Sequence, residues 1–234
     1  MPDIKTWHVV ALGDSGASGK GDLTRLAWPG RYGTLLRQRL KLRVKVVNLA
    51  EEGLSASALL ARLRSDAATR TLVSRADIIL FGSTAGANLN AADANLEAGK
   101  CNGEDCYRTA LKAWGRDFEG IVKASIALRR DKKTVLRGVG EPNVVPGAQD
   151  MIPPFATVDL GLYQAKLVQQ TICASMARHH GRCVEVLHAF NGSNGRGDAY
   201  KAGFMNKVDC CYASGKGHQL IAQLILKTGL APLR

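Results

Sequence analysis

Short apolar segments alternate along the chain with longer segments in which apolar and polar residues follow a helical period. The apolar segments are rich in valine, isoleucine and leucine, as strands buried on both faces are. They predict strands over residues 8–13, 44–49, 76–81, 134–139 and 183–187. The segments between them repeat apolar residues every three to four positions, for example at Leu111, Trp114 and Phe118. Alternating strands and helices predict an α/β fold, a three-layer α/β/α sandwich around a five-stranded, mainly parallel sheet.

Length and composition fit one globular domain over residues 1–234. Of the 234 residues, 46% are hydrophobic and 22% are charged, which excludes a disordered or fibrous chain. No apolar run approaches the ~18 residues of a membrane span, so no transmembrane segment is expected. The first residues also lack the basic start and apolar run of a signal peptide. We therefore expect the mature form of a secreted protein, with a cytoplasmic location left open.

The formal net charge of +12 raises the question of a nucleic-acid partner. The basic residues are scattered, and aromatic residues make up 6% of the chain. Basic and aromatic positions are not interleaved in the manner of single-strand binders. We expect no nucleic-acid partner, and we expect the protein to act as a monomer.

Six cysteines in polar loops favour an oxidising compartment, the alternative being six reduced thiols. No pair has zinc-site or thioredoxin-like spacing. Cys101 and Cys106 enclose a short polar loop that a disulfide can close. Cys173 and Cys183 flank a helix-to-strand turn, which makes them candidate neighbours. Cys210 and Cys211 are adjacent, and we expect either of them to bond elsewhere, with Cys173 or Cys183, rather than to each other.

The loop after the first predicted strand carries the strongest chemical signal, because ligands in such sheets bind beyond the carboxyl ends of the strands. It contains Gly13-Asp14-Ser15 and continues to Gly21. A phosphate-binding P-loop requires four residues before its Gly-Lys and a hydroxyl residue after it. Here five residues separate Gly13 from Gly19, and Gly21 follows the lysine. The alternatives that remain are an ordinary turn and a turn that exposes Ser15 as a nucleophile.

Two further blocks favour the nucleophile. Residues 48–53 read Asn-Leu-Ala-Glu-Glu-Gly, and residues 86–88 read Gly-Ala-Asn. With Gly-Asp-Ser at residues 13–15, this order resembles the SGNH (GDSL-like) hydrolase family, and in particular its secreted bacterial esterases and lipases. The resemblance implies a flavodoxin-like fold and ester hydrolysis without a metal or an organic cofactor. It also implies that Ser15 is the nucleophile and that Gly53 and Asn88 donate to the oxyanion.

The sequence departs from the family pattern in two places. Leu89 stands where an aspartate usually follows the asparagine, and the stretch from the third strand to Asn88 is longer than usual. The family's last block, Asp-x-x-His, begins here with Asp209, but Tyr212 holds the histidine position. A tyrosine, with a pKa near 10, is a poor general base at neutral pH. We predict that His218, ahead of His188, is the base and that Asp209 orients it.

These observations predict a serine hydrolase that cleaves small-molecule or lipid carboxylic esters through an acyl-enzyme on Ser15. The alternative is a catalytically impaired protein of the same fold that binds an ester, a glycan or a surface partner.

Overall fold

The computed structural model describes residues 6–24, 26–130 and 132–233. The strands are β1 (Thr6–Leu12), β2 (Arg43–Asn48), β3 (Ile78–Phe81), β4 (Val135–Val139) and β5 (Arg182–Val184). The helices are α1 (Ser15–Ser18), α2 (Ala27–Leu40), α3 (Ala56–Ser65), α4 (Ala67–Arg75), α5 (Gly86–Glu97), α6 (Gly103–Arg129), α7 (Val158–Arg178), α8 (Leu187–Asn191) and α9 (Gly215–Lys227).

The strands form one sheet in the order β2-β1-β3-β4-β5, and every pair is parallel. This is the flavodoxin-like order, in which the chain reverses direction across the sheet between β1 and β3. The predicted α/β/α fold is confirmed, and each predicted strand is present. β5 ends earlier than predicted, at Val184, because Leu187 already belongs to α8.

Both faces of the sheet are covered, which explains the continuous apolar strands. In β1, Val10 and Leu12 pack into one core with α3, α4, α6 and α7. Val9 and Ala11 point to the other face and pack with α2, α8 and α9. Alternate residues of one strand therefore enter two different cores, since side chains in a strand point to opposite faces in turn.

Polar side chains fix where several helices begin. Ser55, Asp66, Thr157 and Ser214 are the N-caps of α3, α4, α7 and α9, and each accepts a hydrogen bond from a backbone amide of the first turn. In the described ranges, no helix combines the length and the apolar character needed to cross a bilayer.

A glycine in β4 sets the distance between the sheet and α7. A Cβ added at Gly138 would overlap Ile172 Cγ2 and would lie 2.7 Å from Met176 Cγ. The missing side chain allows α7 to pack directly on the strand. α7 therefore packs against β4 next to its last residue, Val139.

The disulfides agree with the sequence-based prediction in one case and correct it in another. Cys101 bonds Cys106, as predicted. Cys173 bonds Cys183 across the turn between α7 and β5, with Cα atoms 4.9 Å apart. Cys210 bonds Cys211, so the expectation that these adjacent residues bond elsewhere was wrong. Cys173 and Cys183, the predicted partners of Cys210 or Cys211, form a disulfide with each other.

We predict that replacing both Cys173 and Cys183 by serine lowers the free energy of unfolding. The bond closes a loop with a sequence separation of 10. Chain entropy for such a loop corresponds to about 2–3 kcal/mol. Urea denaturation of the oxidised wild type and the double variant measures the difference. Equal midpoints, together with free thiols at both positions in the wild type, would contradict the assignment.

Candidate active site

Ser15 lies where the chain turns from β1 into α1. It is the first residue of α1, and the preceding Asp14 caps that helix by accepting a hydrogen bond from the Gly16 amide at 3.3 Å. The Asp14 amide donates to the Ser83 carbonyl after β3 at 3.2 Å. Asp14 is 7% exposed, whereas Ser15 is partly exposed. The turn therefore buries the aspartate and presents the serine hydroxyl to a cleft.

The cleft has a volume of about 450 Å³ and lies at the carboxyl edge of the sheet. The loops after β1, β2, β3 and β4 and the segment before α9 all contribute to it. Its polar lining includes Asp14, Ser15, Glu52, Ser83, Glu141 and Tyr212, and its apolar lining includes Trp28, Leu54, Leu89, Val144, Phe190 and Ile221. Ser15 is thus located in a site with both polar and apolar walls, as small-molecule sites are.

Gly53 is found on the cleft wall where the sequence places it. Its φ of +74° is in the left-handed region, which glycine adopts without steric cost. Among the described residues, its N–H and that of Ser15 have no hydrogen-bond acceptor. Both amides are therefore available to an anion in the cleft.

Asn88 does not line the cleft. It lies in the first turn of α5, and its side-chain amide donates to the Ala110 carbonyl of α6 at 3.4 Å. Asn90 lines the cleft instead. Because Asn88 is bonded to α6 and is not part of the cleft lining, the geometry does not support its predicted donor role.

His218 is buried on α9, away from the cleft. It is 0% exposed, and no hydrogen bond of acceptable geometry reaches either ring nitrogen. Burial lowers the pKa of His218 to about 4, with Asp22 and Arg31 as the charged groups that act on it. His218 is not among the residues that line the cleft with Ser15. The prediction of His218 as the base is therefore not supported by the geometry.

The other members of the predicted base system are also absent from the cleft lining. The Asp209 amide donates to Asn206 Oδ1 at 3.3 Å, and the Asp209 carboxyl has no ion-pair partner among the described residues. His188 lies on α8 rather than at a strand end, and its Nδ1 is 3.3 Å from Glu185 Oε1. Neither residue lines the cleft, and no other histidine of the described chain lines it.

Tyr212 occupies the cleft at the position where the family pattern has its histidine. Lys20 Nζ lies 4.7 Å from the centre of the Tyr212 ring and also forms an ion pair with Glu52. The contacts with Glu52 and Tyr212 raise the pKa of Lys20. Lys20 is therefore a fixed cation, not a candidate base.

A third acidic residue, Glu141, lines the cleft together with Asp14 and Glu52. It follows β4 by two residues, and the Ser83 hydroxyl interacts with its carboxyl. Burial, reinforced by the negative charge of Asp14, raises the pKa of Glu141 to about 7. Burial likewise raises the pKa of Asp14 to about 6. Sequence reasoning missed Glu141, although its place just beyond a parallel strand was a usable signal.

The described residues show no group of three His, Cys, Asp or Glu side chains arranged to hold a metal ion.

No protein-family profile and no curated protein matches the chain. Solved structures do match it over nearly its full length. The lipase Lip_vut3 from a goat rumen metagenome shares 18% identity at a TM-score of 0.80, covering 97% of this chain and 100% of that one. The chain has the SGNH-hydrolase fold.

Two further structures extend this likeness. A protein described as a GDSL-like lipase from Parabacteroides merdae has a TM-score of 0.67 and 15% identity, with 97% and 98% of the two chains covered. Phospholipase A1 from Streptomyces albidoflavus has a TM-score of 0.65 and 13% identity, covering 95% of this chain and 99% of that one. At such identities the SGNH fold is shared, while the site residues have to be argued from this chain.

We predict that Glu141→Gln stabilises the protein at high pH. A carboxyl whose pKa is raised on folding contributes stability below its unfolded pKa, and this stability is lost as the pH rises through about 7. The glutamine side chain does not ionise, so the variant does not lose this stability as the pH rises. The gain in free energy of unfolding should be roughly 1–3 kcal/mol larger at pH 8 than at pH 4.5, since one pKa unit corresponds to about 1.4 kcal/mol. Urea denaturation at both pH values measures it.

Glu51→Gln is the control of opposite sign, because Arg62 holds the pKa of Glu51 below its ordinary value. This variant should gain no stability at pH 8. A Glu141→Gln variant with the same pH dependence as the wild type would contradict the raised pKa.

Proposed function

We propose that this SGNH-fold protein is a serine hydrolase that cleaves carboxylic esters through an acyl-enzyme on Ser15. The observation that carries the proposal is the position of Ser15, a partly exposed serine at a strand-to-helix turn that opens into the cleft. The lipases and the phospholipase with the same fold add support at the level of reaction class.

The first step is the attack of Ser15 Oγ on the ester carbonyl carbon. The carbonyl oxygen then carries negative charge, and in this proposal it accepts hydrogen bonds from the N–H groups of Ser15 and Gly53, which have no other acceptor among the described residues. Fixed donors of this kind typically contribute a factor of 10²–10³ each to the rate. Asn90, at the cleft wall, is the side-chain amide available as a further donor.

The shape of the cleft supports a small-molecule or lipid ester as the substrate. The apolar side chains of Trp28, Leu54 and Leu89 offer a surface for an acyl group, and the polar residues lie around Ser15. The proposed reaction uses no cofactor. Three disulfides fit an oxidising, extracellular location, which we include in the proposal.

A second candidate function is favoured by one observation: among the residues that the structure describes, no histidine lines the cleft. In this alternative the SGNH fold binds an ester or a glycan without turning it over. Turnover measurements separate the two candidates.

We predict that Ser15→Ala lowers kcat/KM for p-nitrophenyl acetate by about 10³-fold or more, because the acyl-enzyme cannot form. Ser18→Ala is the matched control on the same short helix, since Ser18 Oγ donates only to the Ser15 carbonyl at 3.1 Å. It should stay within a few-fold of the wild type. A wild type without turnover above the Ser15→Ala level would favour the binding protein.

A further inference from the structure

The proposed reaction needs a base near Ser15 that the family pattern does not supply. The hydroxyl proton must leave as Oγ attacks, and a base in hydrogen-bond reach, directly or through one water, has to take it. In the described chain, the titratable side chains at the cleft are Asp14, Glu52, Glu141 and Tyr212. Glu52 is paired with Lys20, and Asp14 is used as the cap of α1.

Of the three carboxyls at the cleft, Glu141 alone has neither an ion-pair partner nor a capping role among the described residues. β1 and β4 both pair with β3, so their axes lie roughly 9–10 Å apart at the usual strand spacing. Ser15 and Glu141 each follow their strand by two or three residues, and their side chains bound the same cleft. Asp14, the residue before the nucleophile, lines this cleft as well, and its negative charge acts on Glu141.

The loop that carries Glu141 is held rigidly. Asn143 and Asn191 are 1% and 0% exposed and bond reciprocally, from the Asn143 amide to Asn191 Oδ1 at 2.9 Å and from Asn191 Nδ2 to the Asn143 carbonyl at 2.8 Å. On the other side, the Gly140 amide donates to the Val184 carbonyl at 3.1 Å. Pro142 restricts the backbone between these anchors. A carboxyl on such a support keeps its position during a reaction.

Glu141 has no cationic partner among the described residues. Asp14 and the Ser83 hydroxyl act on it from the turns that follow β1 and β3. Tyr212 and Glu52 also line the cleft, and Glu52 is paired with Lys20. Without an ion pair its carboxylate is free to accept a proton. Its raised pKa of about 7 is matched to proton transfer at neutral pH.

We propose that Glu141 is the general base for Ser15, acting directly or through one water molecule. As Ser15 Oγ bonds to the carbonyl carbon, its proton moves to the Glu141 carboxylate. The tetrahedral intermediate collapses with cleavage of the bond to the alcohol oxygen, which takes the proton from Glu141. Water then attacks the acyl group and gives a proton to Glu141, and collapse returns that proton to Ser15 Oγ. One ester and one water yield one acid and one alcohol.

This inference rests on the proposed function, and the experiment separates the two. The kcat/KM for p-nitrophenyl acetate is measured from pH 5 to pH 9 for the wild type, Ser15→Ala, Glu141→Gln, Glu141→Asp and Tyr212→Phe. In the wild type it should rise with pH and level off above about 7. Glu141→Gln should lower kcat by about 10²–10⁴-fold with little change in KM and abolish that rise, since general-base catalysis contributes this much. Glu141→Asp should retain part of the activity and of the pH step.

Two further results complete the test. Tyr212→Phe should keep both the rate and the pH step, and added formate should restore turnover to Glu141→Ala by supplying a carboxylate. Turnover that depends on Ser15 but stays within a few-fold in Glu141→Gln, with an unchanged pH midpoint, would overturn Glu141 as the base and leave the hydrolase intact. Turnover that does not depend on Ser15 would overturn the proposed function and this inference with it. Loss of activity in Tyr212→Phe alone would move the role to the tyrosine.

Discussion

The close backbone contact between the ends of β1 and β3 is the constraint on which the site depends. A Cβ on Gly13 would lie 2.9 Å from Ala17 Cβ and 3.3 Å from Gly82 Cα, so a side chain at Gly13 would crowd both α1 and the end of β3. The Gly82 amide donates to the Leu12 carbonyl at 2.7 Å, and the Asp14 amide continues this pairing to Ser83. This pairing holds the Asp14–Ser15 turn beside Ser83, whose hydroxyl interacts with the Glu141 carboxyl.

The charge distribution in the cleft differs from that of the whole chain. The net charge is +12, yet the cleft places Asp14, Glu52 and Glu141 around Ser15. Part of the positive charge lies at the opposite end of the sheet, where Arg70, Arg75, Arg129, Arg130 and Lys132 line a groove of about 520 Å³. Asp14 and Glu141 have no cationic partner among the described residues, and desolvation raises the pKa of both carboxyls. The raised pKa of Glu141 therefore affects the free energy of unfolding and also the proposed proton transfer.

Local patterns in the sequence predicted the sheet and drew attention to the turn at Ser15 and to Gly53, because each depends on residues close together in the chain. Apolar segments identify strands, and glycines mark the turns where a left-handed or tightly packed backbone is required. The predictions that depended on contacts between residues far apart in the chain were less successful. His218 is near Asp209 in sequence, but α9 directs it into the core. Cys173 and Cys183 are brought together by the turn between α7 and β5 and bond each other, and Cys210 bonds Cys211. Glu141 is far from Ser15 in sequence, and the order of the strands brings both residues to the same cleft.

The central claim is that Ser15 is a nucleophile activated within this cleft. Labelling of the oxidised protein with a fluorophosphonate probe, followed by intact-mass measurement and peptide mapping, tests it most directly. The account predicts one adduct, located on the peptide that contains Ser15 and absent from Ser15→Ala. An unlabelled wild type, or an adduct that persists in Ser15→Ala, would contradict it.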